Sequence, residues 1–249
     1  MKIGLQTYTM KKFFKDEAGI DKAFSYMHSV GLKEMQCSAL GKFEPETVKK
    51  LADKHELEII GTHYGYNELK NDVDRLIKVH QTYGCKYIGI GMIPRDCLKT
   101  RETVEAFVKD FNELGKVYKE AGLTLVYHNH AIEFKKYGDK TIFDMMCEQF
   151  TDVKFCLDCF WAYKGCKDVE ACMDKIGDRL VFLHLKGCKM LFGKIMIIAP
   201  LSDGVLDIKS YISKAESLGC EHSFIELDFA VNIYKAVKSS FDYLTKLVD

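Results

Sequence analysis

The chain carries no surplus of charge: 36 Lys and Arg stand against 36 Asp and Glu over 249 residues, and no segment concentrates lysine or arginine. A protein that grips phosphate backbones needs a net or clustered positive field, so nucleic acid is not an expected partner. Long apolar runs are missing as well. No window holds the apolar stretch a bilayer span requires, and the opening MKIGLQTYTM is too poor in apolar residues for an export signal. A cytoplasmic protein without membrane contact is therefore expected. No linker, low-complexity tract or composition break interrupts the chain, which predicts one domain over residues 1–249. Ten cysteines are present, but a chain of this length builds its own core, and a reducing compartment keeps thiols free. The single CxxC, Cys156 to Cys159, lacks a second pair and closes the strand-like run KFCLDC instead of opening a helix, so neither zinc nor thioredoxin-type chemistry is expected of it. The cysteines read as small buried hydrophobes.

What is present is an alternation. Short β-branched or aromatic runs alternate with longer amphipathic stretches, the rhythm of a parallel sheet covered by helices. Eight such units can be counted, with strands expected near Ile3 to Tyr8, Glu34 to Ser38, Glu58 to His63, Tyr87 to Gly91, Thr124 to His128, Lys154 to Asp158, Val181 to Lys186 and Ser223 to Leu227. Gly31, Gly84, Gly122 and Gly219 each precede a strand, where a glycine in the left-handed conformation closes the preceding helix. Asp207 suits an N-cap and Pro45 a first helical turn. Eight units in one domain favour a closed (β/α)₈ TIM barrel over an open doubly wound sheet. In such barrels the chemistry sits at the C-terminal ends of the strands.

Four successive strand ends carry polar groups. LTLVYHNHAIEF supplies His128, His130 and Glu133; KFCLDCFWAYKG supplies Asp158; LVFLHLKG supplies His184; and HSFIELDF supplies Glu226 and Asp228. Singly, each is as readily a satisfied hydrogen-bonding residue as a ligand. Together they crowd carboxylates and imidazoles on one rim, where uncompensated carboxylates repel. A single divalent ion relieves that repulsion, and the donor set suits Mn²⁺, Mg²⁺, Co²⁺ or Zn²⁺.

The segments LQTYT, YHNHAIEF, LDCFWA, LHLKG, DGVLDI and FIELD resemble, in that order and over nearly the whole chain, the sugar phosphate isomerase/epimerase family of xylose isomerase-like TIM barrels. The resemblance implies one divalent metal ion held by Glu133, Asp158, His184 and Glu226. His128 stands where relatives often place their first glutamate, so a direct part for His128 is open. The resemblance also implies that Tyr8, His63, His128, His130, Trp161 and Lys186 meet a small sugar or keto-sugar substrate. Glu133 and Glu226 would be the acid/base pair that moves a proton through a metal-stabilised enediolate, giving an isomerase or epimerase. For His63, Trp161 and Lys186 a packing or ion-pairing role stays equally open. The sequence departs from the family pattern where HLKD reads LHLKG, LDTGWA reads LDCFWA and GEG reads SDG at Ser202 to Gly204, and substrate identity turns on these positions.

Other reactions begin alike. A keto-sugar or inosose dehydratase, or a lyase that eliminates from 3-keto-glycosides, would use the same site. An apurinic-site endonuclease needs more metal ligands and a basic surface, and a sugar-binding barrel without activity would keep the ion alone. The segment 189–200, KMLFGKIMIIAP, follows the His184 strand and is unusually apolar for a connection. Two readings are open for it: a buried helix or short hairpin, or a cover for the site that also serves as a contact to another copy or partner subunit.

Overall fold

The computed structural model describes residues 1–248. Its strands are β1 (Lys2–Gln6), β2 (Glu34–Cys37), β3 (Glu58–Tyr64), β4 (Tyr87–Ile90), β5 (Thr124–His128), β6 (Lys136–Tyr137), β7 (Lys140–Thr141), β8 (Val153–Asp158), β9 (Leu180–Leu185), β10 (Gly187–Leu191), β11 (Ile195–Ala199) and β12 (His222–Ile225). Eight of them close a parallel barrel in the order β1-β12-β9-β8-β5-β4-β3-β2, a single (β/α)₈ TIM barrel as expected. The expected strands match these eight to within about two residues at their ends. The remaining strands pair as two antiparallel hairpins, β6–β7 and β10–β11.

The helices form because each presents one apolar stripe to the barrel. In the helix Arg101–Glu120, Val104, Phe107, Val108, Phe111, Leu114 and Tyr118 are buried at helical spacing. Removing each such side chain from water contributes roughly 1.5–3 kcal/mol. Thr100 caps the start by accepting from the Thr103 N–H, and Gly122, at φ +78°, closes the end. Gly31, Gly84 and Gly219 adopt positive φ likewise, Asp207 accepts from the Ser210 N–H, and Pro45 opens its helix. Among the described residues no helix is long and apolar enough to cross a membrane.

Inside the barrel, Ile60, Val126, Cys156, Phe182 and Phe224 form a separate apolar layer, with the Phe182 and Phe224 ring centroids 5.2 Å apart. Gly4 leaves room for this layer: a Cβ there would lie 2.7 Å from the Phe224 ring. Side chains two residues apart on a strand share a face. The positions two beyond Val126, Cys156, Phe182 and Phe224 are His128, Asp158, His184 and Glu226, so the apolar layer is the floor beneath them.

One local expectation changes and one open reading is decided. Cys159 does open a helix, Cys159–Cys166, with Asp158 as its N-cap; both CxxC sulfurs are nevertheless buried free thiols, Cys156 belonging to the floor. The 189–200 segment takes the short-hairpin form that the first reading included, and it is not a buried helix. It is the β10–β11 hairpin, with Met190, Leu191, Phe192, Ile195 and Ile197 exposed around a turn at Phe192 and Gly193.

Candidate metal centre

His128 Nε2, Asp158 Oδ2, His184 Nδ1 and Glu226 Oε2 converge at the C-terminal end of the barrel, each within 4.8 Å of the others. All four residues are buried, and the four atoms face one another, with His184 Nδ1 2.7 Å from Glu226 Oε2 and His128 Nε2 3.6 Å from Asp158 Oδ2. His128 Nδ1 lies 3.1 Å from the Gly91 carbonyl and His184 Nε2 lies 2.6 Å from Gln36 Oε1, so each ring donates there and turns a bare nitrogen to the centre. Asp158 Oδ1 accepts from the Trp161 N–H at 2.9 Å, which turns Oδ2 to the centre. Imidazole nitrogens and carboxylate oxygens crowded on one buried point call for a cation between them. Two imidazole nitrogens and two carboxylate oxygens are a fitting donor set for a divalent metal ion.

Lys186 borders the same group. Its Nζ lies 3.0 Å from Asp158 Oδ2, 3.2 Å from Glu226 Oε2 and 3.2 Å from both Asp228 oxygens. Burial opposes its charge, but the three carboxylates overcome that and raise its pKa. Burial likewise works against Asp158 and Glu226, yet Lys186 and the imidazoles hold both below the usual carboxylate range. Asp228 goes the other way, raised by burial. Three carboxylates beside one ammonium leave two negative charges, the complement of a divalent cation.

A cavity of about 480 Å³ opens above the cluster, lined by Tyr8, His63, His128, His130, Glu226 and Asp228 among others. Four of the expected substrate contacts thus face it, His128 among them as a member of the cluster. Gly89 makes space for His63, since a Cβ would lie 2.8 Å from its ring. Burial and the neighbouring His128 depress the His130 pKa to about 3, and burial keeps His63 neutral as well. Trp161 stands beside the mouth, its ring 5.4 Å from that of His130, and lines a neighbouring cleft instead. Lys186 meets the carboxylates, not the cavity wall.

Glu133 is the departure. It is fully buried, with Oε1 accepting from the Tyr127 hydroxyl at 2.8 Å and Oε2 from the His130 N–H at 2.9 Å, and it does not join the cluster. Beyond His128 the chain leaves the strand and passes into the 3-10 turn Ile132–Phe134, which carries Glu133 away from the axis. His128 occupies the fourth corner. Residues that sequence reasoning missed are Gln36, which bridges His184 and His63, and Gln6, which donates to Gln36 Oε1 at 2.7 Å. The only sequence signal for them was strand parity, two positions beyond Glu34 and Gly4.

The profile of the family described as xylose isomerase-like TIM barrel matches residues 22–246. The chain belongs to that family. Within the xylose isomerase-like TIM barrels, a sugar phosphate isomerase/epimerase from Parabacteroides distasonis ATCC 8503 is similar in structure, with TM-score 0.81 and 22% identity, over 100% of this chain and 99% of that one. D-psicose 3-epimerase with D-tagatose from Clostridium cellulolyticum H10 gives TM-score 0.75 at 12% identity over 100% of both chains. A probable 3-DHS dehydratase from Bacillus anthracis gives 0.75 at 12% identity over 98% and 99%. At these identities the likeness is one of fold. None of the curated proteins matches the chain by sequence.

Proposed function

We propose that the chain is a divalent-metal-dependent isomerase or epimerase of a small sugar or keto-sugar. The observation that carries this reading is the set of four buried ligand atoms that converge beneath a cavity lined by polar groups. His128, Asp158, His184 and Glu226 would hold the ion. When bound, a divalent ion polarises a substrate carbonyl and lowers the energy of an enediolate. The protein's own groups do the rest. Glu226, which lines the cavity, serves as the proton acceptor, and His130, three strands away around the barrel wall, contacts the substrate. His63 and Tyr8 are positioned to meet substrate hydroxyls, and Lys186 fixes Asp228 and Glu226. The sugar phosphate isomerase/epimerase and D-psicose 3-epimerase neighbours support the substrate class.

Lys186 gives a second reading some footing. An ammonium 3.0 and 3.2 Å from two of the ligand oxygens can itself neutralise them, and a metal-free enzyme would use it as the fixed electrophile. Metal analysis of the purified protein and of Asp158→Asn and His184→Ala separates the two. The proposal expects a bound divalent ion in the parent chain and its loss in both folded variants. Full occupancy in both would remove the ligand assignment. The chemistry is tested by incubating ketoses, inososes and 3-keto-glycosides in deuterated water with Mn²⁺. Deuterium at the carbon α to the carbonyl, suppressed by a chelator, is expected; metal binding with no exchange for any of them would leave a sugar-binding barrel.

A further inference from the structure

Of the ten cysteines, Cys166 is the exposed one, and it ends the helix Cys159–Cys166. Six residues on, Cys172 is 3% exposed within the helix Val169–Ile176. Their sulfurs lie 3.4 Å apart. The turn that brings them together is well tied. Lys167 adopts φ +71° and donates its N–H to the Tyr163 carbonyl, while Asp168 caps the next helix by accepting from the Ala171 N–H. Both thiols lie against the Asp168 carbonyl, at 3.4 and 3.3 Å. A non-glycine residue held at positive φ is a local cost that this arrangement sustains.

We propose that Cys166 and Cys172 form a reversible dithiol–disulfide site, in which Cys166 attacks and Cys172 resolves, with a small-molecule disulfide of the glutathione type as oxidant. In the first step the Cys166 thiolate attacks one sulfur of the small disulfide; that S–S bond breaks, a mixed disulfide forms on Cys166, and one small thiolate leaves. Cys172 then attacks the Cys166 sulfur, the intramolecular bond forms and the second small thiolate leaves. The two protons lost by the protein thiols end on the two departing thiolates. The protein dithiol is oxidised by two electrons and the small disulfide is reduced by two.

Three features support the roles. Of the two, only Cys166 is open to a soluble reagent. Its sulfur needs to close from 3.4 Å to the ~2.05 Å of a disulfide, a side-chain movement within an already formed turn. The hydrogen bond with Cys172 also holds the Cys166 thiol down at about 7, whereas Cys172 is raised, so the thiolate forms on the exposed sulfur. The bond would fasten the far end of the helix Cys159–Cys166, which Asp158 caps and which carries Trp161.

The test is incubation of the full chain with oxidised glutathione, followed by alkylation of remaining thiols and peptide mass mapping. Wild type is expected to yield a Cys166–Cys172 cross-linked peptide and no lasting glutathione adduct. Cys172→Ala should stop at a glutathione adduct on Cys166, and its Cys166, without the neighbouring S–H donor, should alkylate roughly several-fold more slowly at neutral pH. Cys166→Ser should leave Cys172 unmodified. A persistent adduct on Cys166 in wild type, or a cross-link to any other cysteine, would overturn the proposal. Unchanged Trp161 fluorescence in the reduced variants confirms that the fold is intact.

Discussion

Gln36 Oε1 lies 2.6 Å from His184 Nε2, and this contact decides which nitrogen of His184 is bare. A carbonyl oxygen only accepts, so the ring must carry its proton on Nε2, and Nδ1 presents a lone pair to the carboxylate cluster. Gln36 is held in turn by Gln6, whose amide donates to the same oxygen, and its own amide nitrogen reaches His63 Nε2 at 3.0 Å.

Gln36→Leu should therefore weaken divalent metal binding by roughly 10–100-fold, because partners of this kind set ligand orientation and basicity. Competition against a metallochromic chelator measures it. Wild-type affinity in Gln36→Leu would show that packing alone positions His184.

Glu133→Gln offers a sharp contrast with Glu226→Gln. Glu133 accepts two hydrogen bonds in a buried site, and an amide turns one of those acceptors into a donor, so stability should fall by about 1–3 kcal/mol. Metal content should stay at the wild-type level. Glu226→Gln should lose metal. Chemical denaturation and elemental analysis of the two variants check this, and loss of metal in Glu133→Gln would restore Glu133 as a ligand.

Acid stability provides a third test, at Asp144. Burial works against this carboxylate, but Lys175 and the Thr141 hydroxyl and N–H outweigh it and depress its pKa from 3.8 to about 2. A depressed pKa means stability that is present above the unfolded value and lost as pH falls through the folded one. About 2 kcal/mol should thus disappear between pH ~4 and pH ~2. Asp144→Asn should be less stable than wild type at neutral pH and show a shallower loss over that window in denaturant titrations.

The β10–β11 hairpin is tested by Ile195→Ser with Ile197→Ser. These side chains are 56% and 38% exposed, so the double variant should melt within a few degrees of wild type. If the hairpin covers the mouth or meets another copy, the same variant should raise KM or reduce the mass seen by light scattering. Unchanged kinetics and mass would leave it a plain surface hairpin.

Much of the site was legible because strand parity is strict. His128, Asp158, His184 and Glu226 each fall two residues past an apolar floor residue, and that spacing alone places them on the axis. Parity fails once the chain leaves the strand, which is why Glu133, five residues past the end of β5, was drawn into the cluster by likeness instead of by geometry. Gln36 and Gln6 were invisible for another reason. An uncharged amide creates no repulsion that demands relief, and its value appears only when its partner's second nitrogen is seen. The 189–200 segment alternates too weakly to separate hairpin from helix, and only the pairing of Lys189 with Ile197 and Met190 with Met196 decides it.

The barrel closes where β12 slots between β1 and β9, joining the last strand to the first. Glu226 follows that closing strand, while His128, Asp158 and His184 come from strands made earlier. During synthesis the four-residue cluster is therefore incomplete until the final strand has left the ribosome and docked. An ion held by these four residues would load late in the life of the chain and would act as a latch on a ring that has already shut.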